Sequence, residues 1–157
     1  METTMRRITI LSMAAVLAGC AGGEKTPEAD SPAMAMGATP ITLSDVAGTW
    51  NLQAMHETMD SVLIAYTMTG SADPASWTMT LPGGQPIPLR ITTDADSMII
   101  DAGPYPSALR PGTQVTTHSI NRLEGGMLVG HFTGRYTGPN VGADTVLHGR
   151  LRASRAP

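Results

Sequence analysis

The chain has 157 residues, with 10 basic and 13 acidic side chains and a formal net charge of −3. This length suits one domain of ordinary size. The mild acidity argues against a nucleic-acid partner, which requires a basic face. Cys20 is the only cysteine, so the sequence predicts no disulfide and no thiolate metal site.

The first 19 residues have the composition of a secretory signal. Arg6 and Arg7 precede an apolar run from Ile8 to Gly19, which is too short to cross a bilayer of roughly 30 Å as a helix. A basic start, a short apolar centre and small residues at the end are typical of a signal peptide. We therefore exclude residues 1–19 from the folded domain.

Residues 17–20, Leu-Ala-Gly-Cys, resemble the lipobox of bacterial lipoproteins. In that family the cysteine receives a diacylglycerol, the signal is cut before it, and the new N-terminus is acylated, as with palmitate. The resemblance implies that Cys20 is lipidated and anchors the protein to a membrane, since each buried methylene contributes roughly 0.8 kcal/mol.

The residue after the cysteine bears on location in the cell envelope. In lipoproteins of double-membraned bacteria, an Asp at this position tends to retain the protein in the inner membrane, but Ala21 stands here. The resemblance therefore implies the outer membrane, with the protein facing the periplasm. In a single-membraned host it implies the outer face of that membrane.

Residues 20–40 are small, polar and proline-bearing, without a pattern that forms a core. This composition predicts a disordered tether that reaches on the order of 25 Å as a coil. A single β domain is then predicted over residues 41–157.

Alternation of apolar and polar residues predicts strands after residue 48. The stretch before Trp50 predicts one helical turn with Ser44 as its cap. Met98 and Ile100 mark a weaker fifth strand. The four strands before it carry apolar sets on one face: Trp50, Leu52 and Ala54; Val62, Ile64, Tyr66 and Met68; Trp77, Met79 and Leu81; and Ile87, Leu89 and Ile91.

A hairpin follows, with Gly125-Gly126 as its turn, because both positions can take positive φ. This turn aligns Glu124 with Met127 and Leu123 with Leu128. One face then holds Val115, Leu123, Leu128, Phe132 and Tyr136, and the other His118, Arg122, His131 and Arg135. The last strand places Leu147 and Leu151 inward, and His148, Arg150 and Arg152 outward.

About eight strands joined by short turns predict an all-β fold, a small antiparallel up-and-down barrel or a sandwich. Pro86 and Pro88 fall where a strand of a closed barrel has to pair, and proline is confined to edges or strand starts. We therefore expect this strand to begin near Leu89, or the barrel to be open.

A helical turn followed by Gly48-Thr49-Trp50 at the start of the first strand resembles the G-x-W hallmark of lipocalins. The family places an arginine of its last strand against that tryptophan, and Arg150 or Arg152 is the candidate here, by cation–π stacking. The resemblance implies an eight-stranded barrel with a cup for a small apolar ligand. The chain departs from the family in lacking a T-D-Y segment and a helix near its end.

Candidate metal sites are weakly supported. Residues 56–60, HETMD, begin like the zinc-protease motif, but Asp60 stands where the second histidine is required, between two strands. A polar hairpin loop is the simpler interpretation. His118 and His131 lie diagonally on one face, within about 7–8 Å, but arginines on that face would repel a cation.

Catalytic signals are weaker still. Asp94, Asp96 and Asp101 lack a glycine-bearing loop of the EF-hand type and are interpreted as a solvated turn. The serines show no G-x-S-x-G elbow. We therefore expect no catalytic residue, no metal and no cofactor, and a protein that is not an enzyme.

Residues 102–112 form one long, proline-rich connection that carries Tyr105, Leu109 and Arg110. Stiff loops of this kind either bind ligands or cover the rim of a barrel. Both interpretations remain open at this point.

Two functions follow from these patterns. The first is a lipocalin-like module that binds a small apolar or amphipathic ligand; the alternative for the same inward residues is that they only fill a core. The second is a non-enzymatic interaction or structural lipoprotein that docks to an envelope assembly through Tyr105, the edge near Pro88 and the C-terminal arginines. The predicted ligand-binding residues are Trp50, Tyr66, Trp77, Met79 and Phe132, with Tyr105 and Arg110 from the connection.

Overall fold

The computed structural model describes residues 39–139, 141–143 and 145–157. The predicted signal peptide, Cys20 and nearly all of the tether lie outside the described residues. No helix in the described part is long and apolar enough to cross a membrane. The elements are α1 (Leu43–Val46), β1 (Gly48–His56), β2 (Val62–Gly70), a 3-10 turn (Pro74–Ser76), β3 (Thr78–Thr80), β4 (Pro86–Asp94), β5 (Ser97–Pro106), β6 (Gln114–Glu124), β7 (Met127–Thr137) and β8 (Val146–Arg155).

Each strand pairs antiparallel with the next, and β8 pairs back onto β1, so the sheet closes into a barrel. The prediction of an all-β, antiparallel, up-and-down fold of eight strands is confirmed, and the form is the barrel. Successive side chains alternate between the interior and the surface along each strand. The predicted inward sets therefore meet inside the barrel, except for Val62 at the start of β2, which is 48% exposed.

The two ends of the barrel differ in how they are covered. We call the closed end the one that carries α1 and the connections after β2, β4 and β6. The open end carries the connections after β1, β3, β5 and β7. The N–H of Ile41 donates to the carbonyl of Ala95 at 2.8 Å, and Val46 is completely buried, so α1 and the residues before it cover the closed end.

The cap of α1 differs from the prediction of Ser44. The helix begins after Thr42, whose N–H and hydroxyl both donate to Asp45 Oδ2, at 2.8 and 2.7 Å. Ser44 therefore lies inside the helix. The correction has a local cause, because a carboxylate at the third helical position can reach back to the capping residue. The hydrogen bonds from Thr42 hold the pKa of Asp45 below its usual value.

The hairpin of β6 and β7 has the predicted register. Glu124 pairs with Met127 and Leu123 with Leu128. Gly125 and Gly126 have φ of +57° and +81°, which the turn requires at both positions. This register places Val115, Leu128, Phe132 and Tyr136 inside the barrel, whereas Leu123, next to the turn, is 39% exposed.

Pro86 and Pro88 belong to β4, so the expectation that the strand begins near Leu89 or that the barrel is open was wrong. The N–H of Leu89 donates to the Trp77 carbonyl at 2.9 Å. Because donors alternate sides along an antiparallel strand, the nitrogens of Pro86 and Pro88 face β5. Pairing of β4 with β5 begins only at Leu89 opposite Ala102, so these prolines remove no hydrogen bond from that ladder.

The largest side chains fill the half of the barrel near the closed end. Trp50 Nε1–H donates to the Val46 carbonyl at 2.8 Å, and Trp77 Nε1–H donates to the Ser71 carbonyl at 2.9 Å. A Cβ at Gly70 would lie 2.0 Å from the Trp77 ring, so only glycine leaves room for it. The largest completely buried hydrophobic side chains are Trp50, Trp77, Leu52, Met68, Met98, Leu128 and Val46.

Candidate ligand-binding cavity

The barrel contains a cavity of about 70 Å³ in the half nearer the open end. An eight-stranded barrel is just wide enough for ordinary side chains to fill it. Space remains here because inward positions hold small residues such as Ala54, Ala102 and Gly134. The wall takes residues from all eight strands, prominently Leu52, Ile64, Tyr66, Met79, Leu89, Ile100, Tyr105, Val115, Thr117, Ser119, Phe132, Tyr136, Leu147 and Leu151.

The wall is apolar and uncharged, with hydroxyl groups as its polar features. Among residues 39–139, 141–143 and 145–157, no Asp, Glu, Lys, Arg or His side chain lines the cavity. The hydroxyls come from three tyrosines and from Ser107, Thr117 and Ser119. Apolar surface with a few convergent polar groups is the composition expected of a small-molecule site.

Tyr66 extends from β2 deep into the barrel. Burial raises the pKa of its phenol well above the usual value, and the nearby Tyr105 raises it further. The Tyr66 side chain is only half-buried by surface area, because the cavity reaches it. Its hydroxyl forms no hydrogen bond with the described part of the chain.

Tyr105 lines the same cavity as Tyr66, and the pKa of its phenol is also raised. Burial raises the pKa of Tyr105, the neighbouring Thr117 hydroxyl opposes the rise, and Tyr136 adds to it. All three tyrosines line the same cavity. The sequence placed Tyr105 in a connection, but it belongs to β5 and packs against the core.

Ser119 of β6 is held by a second buried polar residue. Its Oγ accepts a hydrogen bond from Asn121 Nδ2 at 3.0 Å, and the same amide donates to the Met98 carbonyl at 3.4 Å. A carbonyl can only accept, so it fixes the amide nitrogen on this side. The Ser119 proton is therefore directed to another partner, and Ser119 lines the cavity.

The connection between β5 and β6, residues 107–113, covers the open end. We call it the lid. Ser107 Oγ accepts from the N–H groups of Leu109 and Arg110, at 3.2 and 3.0 Å. The Arg110 guanidinium lies 4.2 Å from the centre of the Tyr136 ring. Leu109 lines the cavity and is 38% exposed, so the lid is ordered and lies between the cavity and solvent.

The predicted ligand-binding residues fall into two groups. Tyr66, Met79, Phe132 and Tyr105 line the cavity. Trp50 and Trp77 do not, because they are completely buried in the closed half. Arg110 contacts the cavity wall through Tyr136. The cavity also has residues that the sequence did not indicate: Ala54, Ala102, Ser119, Gly134, Tyr136 and Leu147.

The arginine that stacks on Trp50 is Arg155, so the expectation of Arg150 or Arg152 was wrong. Its guanidinium lies 4.5 Å from the Trp50 ring centre. It donates to the carbonyls of Ala47 at 2.7 Å and Asp45 at 2.6 Å. The alternation of side chains along β8 explains the correction, because Arg150 and Arg152 point outward and Arg155 points inward.

Arg150 ties β8 to the connection after β1. It donates to Asp60 Oδ1 at 2.8 Å and to the Met59 carbonyl at 3.1 Å. This hydrogen bond and the positive charge lower the pKa of Asp60. Residues 56–60 thus end a strand and form a polar loop, as the sequence suggested.

Three of the other candidate metal ligands, His118, Asp101 and Asp96, contact a neighbouring side chain. His118 Nδ1 lies 2.7 Å from Asp101 Oδ1, and Arg122 lies 3.2 Å from Asp96. Over the described ranges, no group of three or more His, Cys, Asp or Glu side chains is placed to hold a metal ion. The cavity is therefore the candidate site with the most developed geometry.

Comparisons with protein-family models, curated proteins and solved structures gave no match.

Proposed function

We propose that this protein is a lipid-anchored envelope lipoprotein whose barrel binds a small apolar or amphipathic ligand at its open end. The observation that supports this most directly is the uncharged cavity of about 70 Å³. A barrel that served only as a scaffold could fill this space with leucine or methionine, as its closed half does. Small residues in the open half leave contacts unmade, which costs stability.

The closed end supports a lipocalin-like assignment. A short helix leads into Gly48-Thr49-Trp50, and an arginine of the last strand stacks on the tryptophan. This arrangement resembles the closed end that lipocalins have. A rigid closed end leaves the opposite rim available for ligand access.

The anchor is the second part of the proposal. The lipobox at residues 17–20 supports lipidation of Cys20, and Ala21 supports the outer membrane as the location, with the barrel in the periplasm. The tether would keep the barrel on the order of 25 Å from the bilayer. Apolar molecules that leave the membrane would then be within reach.

The size of the cavity limits what enters while the lid stays in place. An engineered cavity of about 150 Å³ holds benzene, and this one measures about 70 Å³. Only a group smaller than benzene fits beneath the lid. A larger ligand has to displace residues 107–113 or extend past them.

The test is native mass spectrometry of the protein released from its own membranes in mild detergent. We expect a chain that begins at an acylated Cys20, together with a small additional mass that is lost on gentle activation. Retention of Met1 and an unmodified Cys20 would refute the anchor. A lipidated chain without any additional mass, and unable to take up small neutral probes afterwards, would refute the ligand.

A second function is favoured by exposed apolar residues at the open end. Met59 is 54% exposed and Val62 is 48% exposed, and Leu109 lies on the lid. Such side chains suit contact with an envelope protein. In the same spectrum, a barrel that arrives with another polypeptide and no small molecule would favour docking over ligand binding.

A further inference from the structure

We infer that the cavity selects an uncharged ligand group with a hydrogen-bond acceptor, such as a carbonyl oxygen, held between the hydroxyls of Tyr66 and Ser119. This inference rests on the proposed function and specifies its ligand. The contributing observations are the unpaired Tyr66 phenol, the orientation of Ser119 and the absence of charge in the wall.

Tyr66 supplies the first donor. Its hydroxyl has no hydrogen-bond partner in the described part of the chain, although the ring lies deep in the barrel and lines the cavity. The residue is only partly buried by surface area, and its hydroxyl is not among the fully buried atoms that lack a partner. Its proton can therefore be donated to a ligand that enters the cavity.

Ser119 supplies the second donor. Its side chain is buried, with 5% of the residue exposed. Its oxygen already accepts from Asn121, so its proton is the group left to offer. Asn121 is itself completely buried, and its Oδ1 has no partner among the described residues. An amide kept in the core at this cost is best explained by what it does to Ser119.

The two donors face each other. Tyr66 is on β2 and Ser119 is on β6, and these strands are four positions apart in a closed barrel of eight. Both side chains have the inward parity of their strands. In the complex that we infer, an acceptor oxygen lies between the two side chains and receives both protons, while the rest of the ligand contacts Phe132, Met79 and Leu89.

The wall also discriminates against ions. No charged side chain among the described residues lines the cavity, and an ion moved from water into such a site loses hydration without gaining a counter-charge from that wall. A carboxylate would meet two donors but no cation, and an ammonium would meet no carboxylate. Neutral acceptors are the class that gains hydrogen bonds without this penalty.

The experiment uses three probes of one shape: butanone, 2-methyl-1-butene and propanoate. In the alkene a methylene replaces the carbonyl oxygen, and in propanoate an oxygen anion replaces a methyl group. Titrations at pH 7 are followed by chemical-shift changes of the wall methyl groups in the purified protein. We expect butanone to bind about two- to tenfold more tightly than the alkene for each hydrogen bond gained, and propanoate to bind most weakly.

Variants assign the preference to particular groups. Tyr66→Phe and Ser119→Ala each remove one hydroxyl and are expected to lower the butanone preference by about two- to tenfold, with alkene affinity retained. Thr116→Val removes an outward hydroxyl of the same strand β6 and is the matched control. Asn121→Leu tests a positioning role, because it should weaken the preference although the residue lies outside the cavity wall.

The outcomes separate this inference from the proposed function. If the alkene binds as tightly as butanone, the cavity accepts ligands but the donors do not select them, and this inference fails alone. If a preference for butanone survives in the Tyr66→Phe and Ser119→Ala double variant, it comes from other groups, which also overturns the inference. If no probe shifts the wall signals, the ligand-binding function itself fails.

Discussion

At the scale of single residues, the closed end depends on the contact between Trp50 and Arg155. The guanidinium stacks on the indole at 4.5 Å and donates to two carbonyls next to α1. One side chain thus joins the last strand, the first strand and the helix. Guanidinium suits this position because it combines a flat face with several donors.

Replacing Arg155 by Ala should therefore destabilise the protein. Two hydrogen bonds and a stacking contact at a partly exposed site contribute about 1–2 kcal/mol in total. The melting temperature, measured by circular dichroism, is expected to fall by roughly 3–10 °C. The control is Arg152→Ala, which removes an outward arginine of the same strand, and an equal fall in that variant would contradict the assignment.

The sequence contained the signal for Arg155. The alternation of β8 places Leu151 inward, and every second residue after it shares that face, so Arg155 is inward and Arg152 is not. The sequence predicts the outward face of β8 correctly. Arg150 and Arg152, the two arginines predicted to contact Trp50, lie on that outward face. The alternation of β2 likewise predicts that Tyr66 points inward. Whether its hydroxyl has a hydrogen-bond partner depends on the positions of all eight strands, which the alternation does not give.

Tyr66 predicts how stability responds to alkaline pH. An unfolded tyrosine ionises near pH ~10, and burial raises the pKa of Tyr66 above that in the folded barrel. Its neutral form therefore contributes stability that is full below this range and is lost as pH rises. Above pH ~10 each such group lowers the free energy of unfolding by about 1.4 kcal/mol per pH unit.

Tyr66→Phe removes one such contribution. Denaturant unfolding measured from pH 9 to about pH 11 should show a smaller loss of stability in Tyr66→Phe than in the unaltered protein. Ser119→Ala has no ionisable group at the mutated position and serves as the control. An unchanged slope in Tyr66→Phe would mean that the phenol ionises as freely in the folded barrel as in the unfolded chain.

At the scale of elements, the lid is ordered by its own side chains. Ser107 accepts two backbone N–H groups, Thr113 Oγ1 donates to the Arg110 carbonyl at 2.8 Å, and Arg110 stacks on Tyr136. None of these contacts belongs to the strand ladder. We therefore expect the lid to open without unfolding the barrel.

Ser107→Ala is expected to loosen the lid while leaving the barrel intact. Loss of the two acceptor contacts should raise the hydrogen-exchange rates of the Leu109 and Arg110 amides about two- to tenfold. Exchange in β6 and β7 should stay unchanged. Equal acceleration throughout the barrel would show that the lid and the strands open together.

The strands could be predicted because a period of two is a strong local pattern. The β6–β7 register followed from one turn, Gly125-Gly126. The cavity could not be predicted in this way, since Ala102 and Gly134 are separated along the chain and meet only after closure. The expectation that Pro86 and Pro88 lie outside β4 or open the barrel was wrong for a similar reason. Whether Pro88 removes a ladder hydrogen bond depends on where the neighbouring strand β5 stops pairing with β4.

At the scale of the whole molecule, the barrel is paired unevenly. β6 and β7 have 11 residues each, whereas β3 has 3. β3 lies between β2 and the proline-bearing start of β4. This side offers the fewest ladder hydrogen bonds along a closed ring of strands.

We therefore expect local opening to begin at β3. Native-state hydrogen exchange should show the slowest amides in β6 and β7, with free energies near that of global unfolding, and clearly faster exchange in Thr78–Thr80. One exchange experiment measures the backbone amides of all eight strands in the same sample. Uniform protection around the ring would contradict an uneven barrel.

The position of the two tryptophans has an optical consequence. Trp50 and Trp77 are both completely buried in the closed half, whereas Tyr66, Tyr105 and Tyr136 surround the cavity in the other half. Indole emission therefore reports one end of the barrel and phenol absorbance reports the other. If a ligand enters the cavity, tyrosine difference absorbance should change, whereas loosening of the closed end should change tryptophan emission.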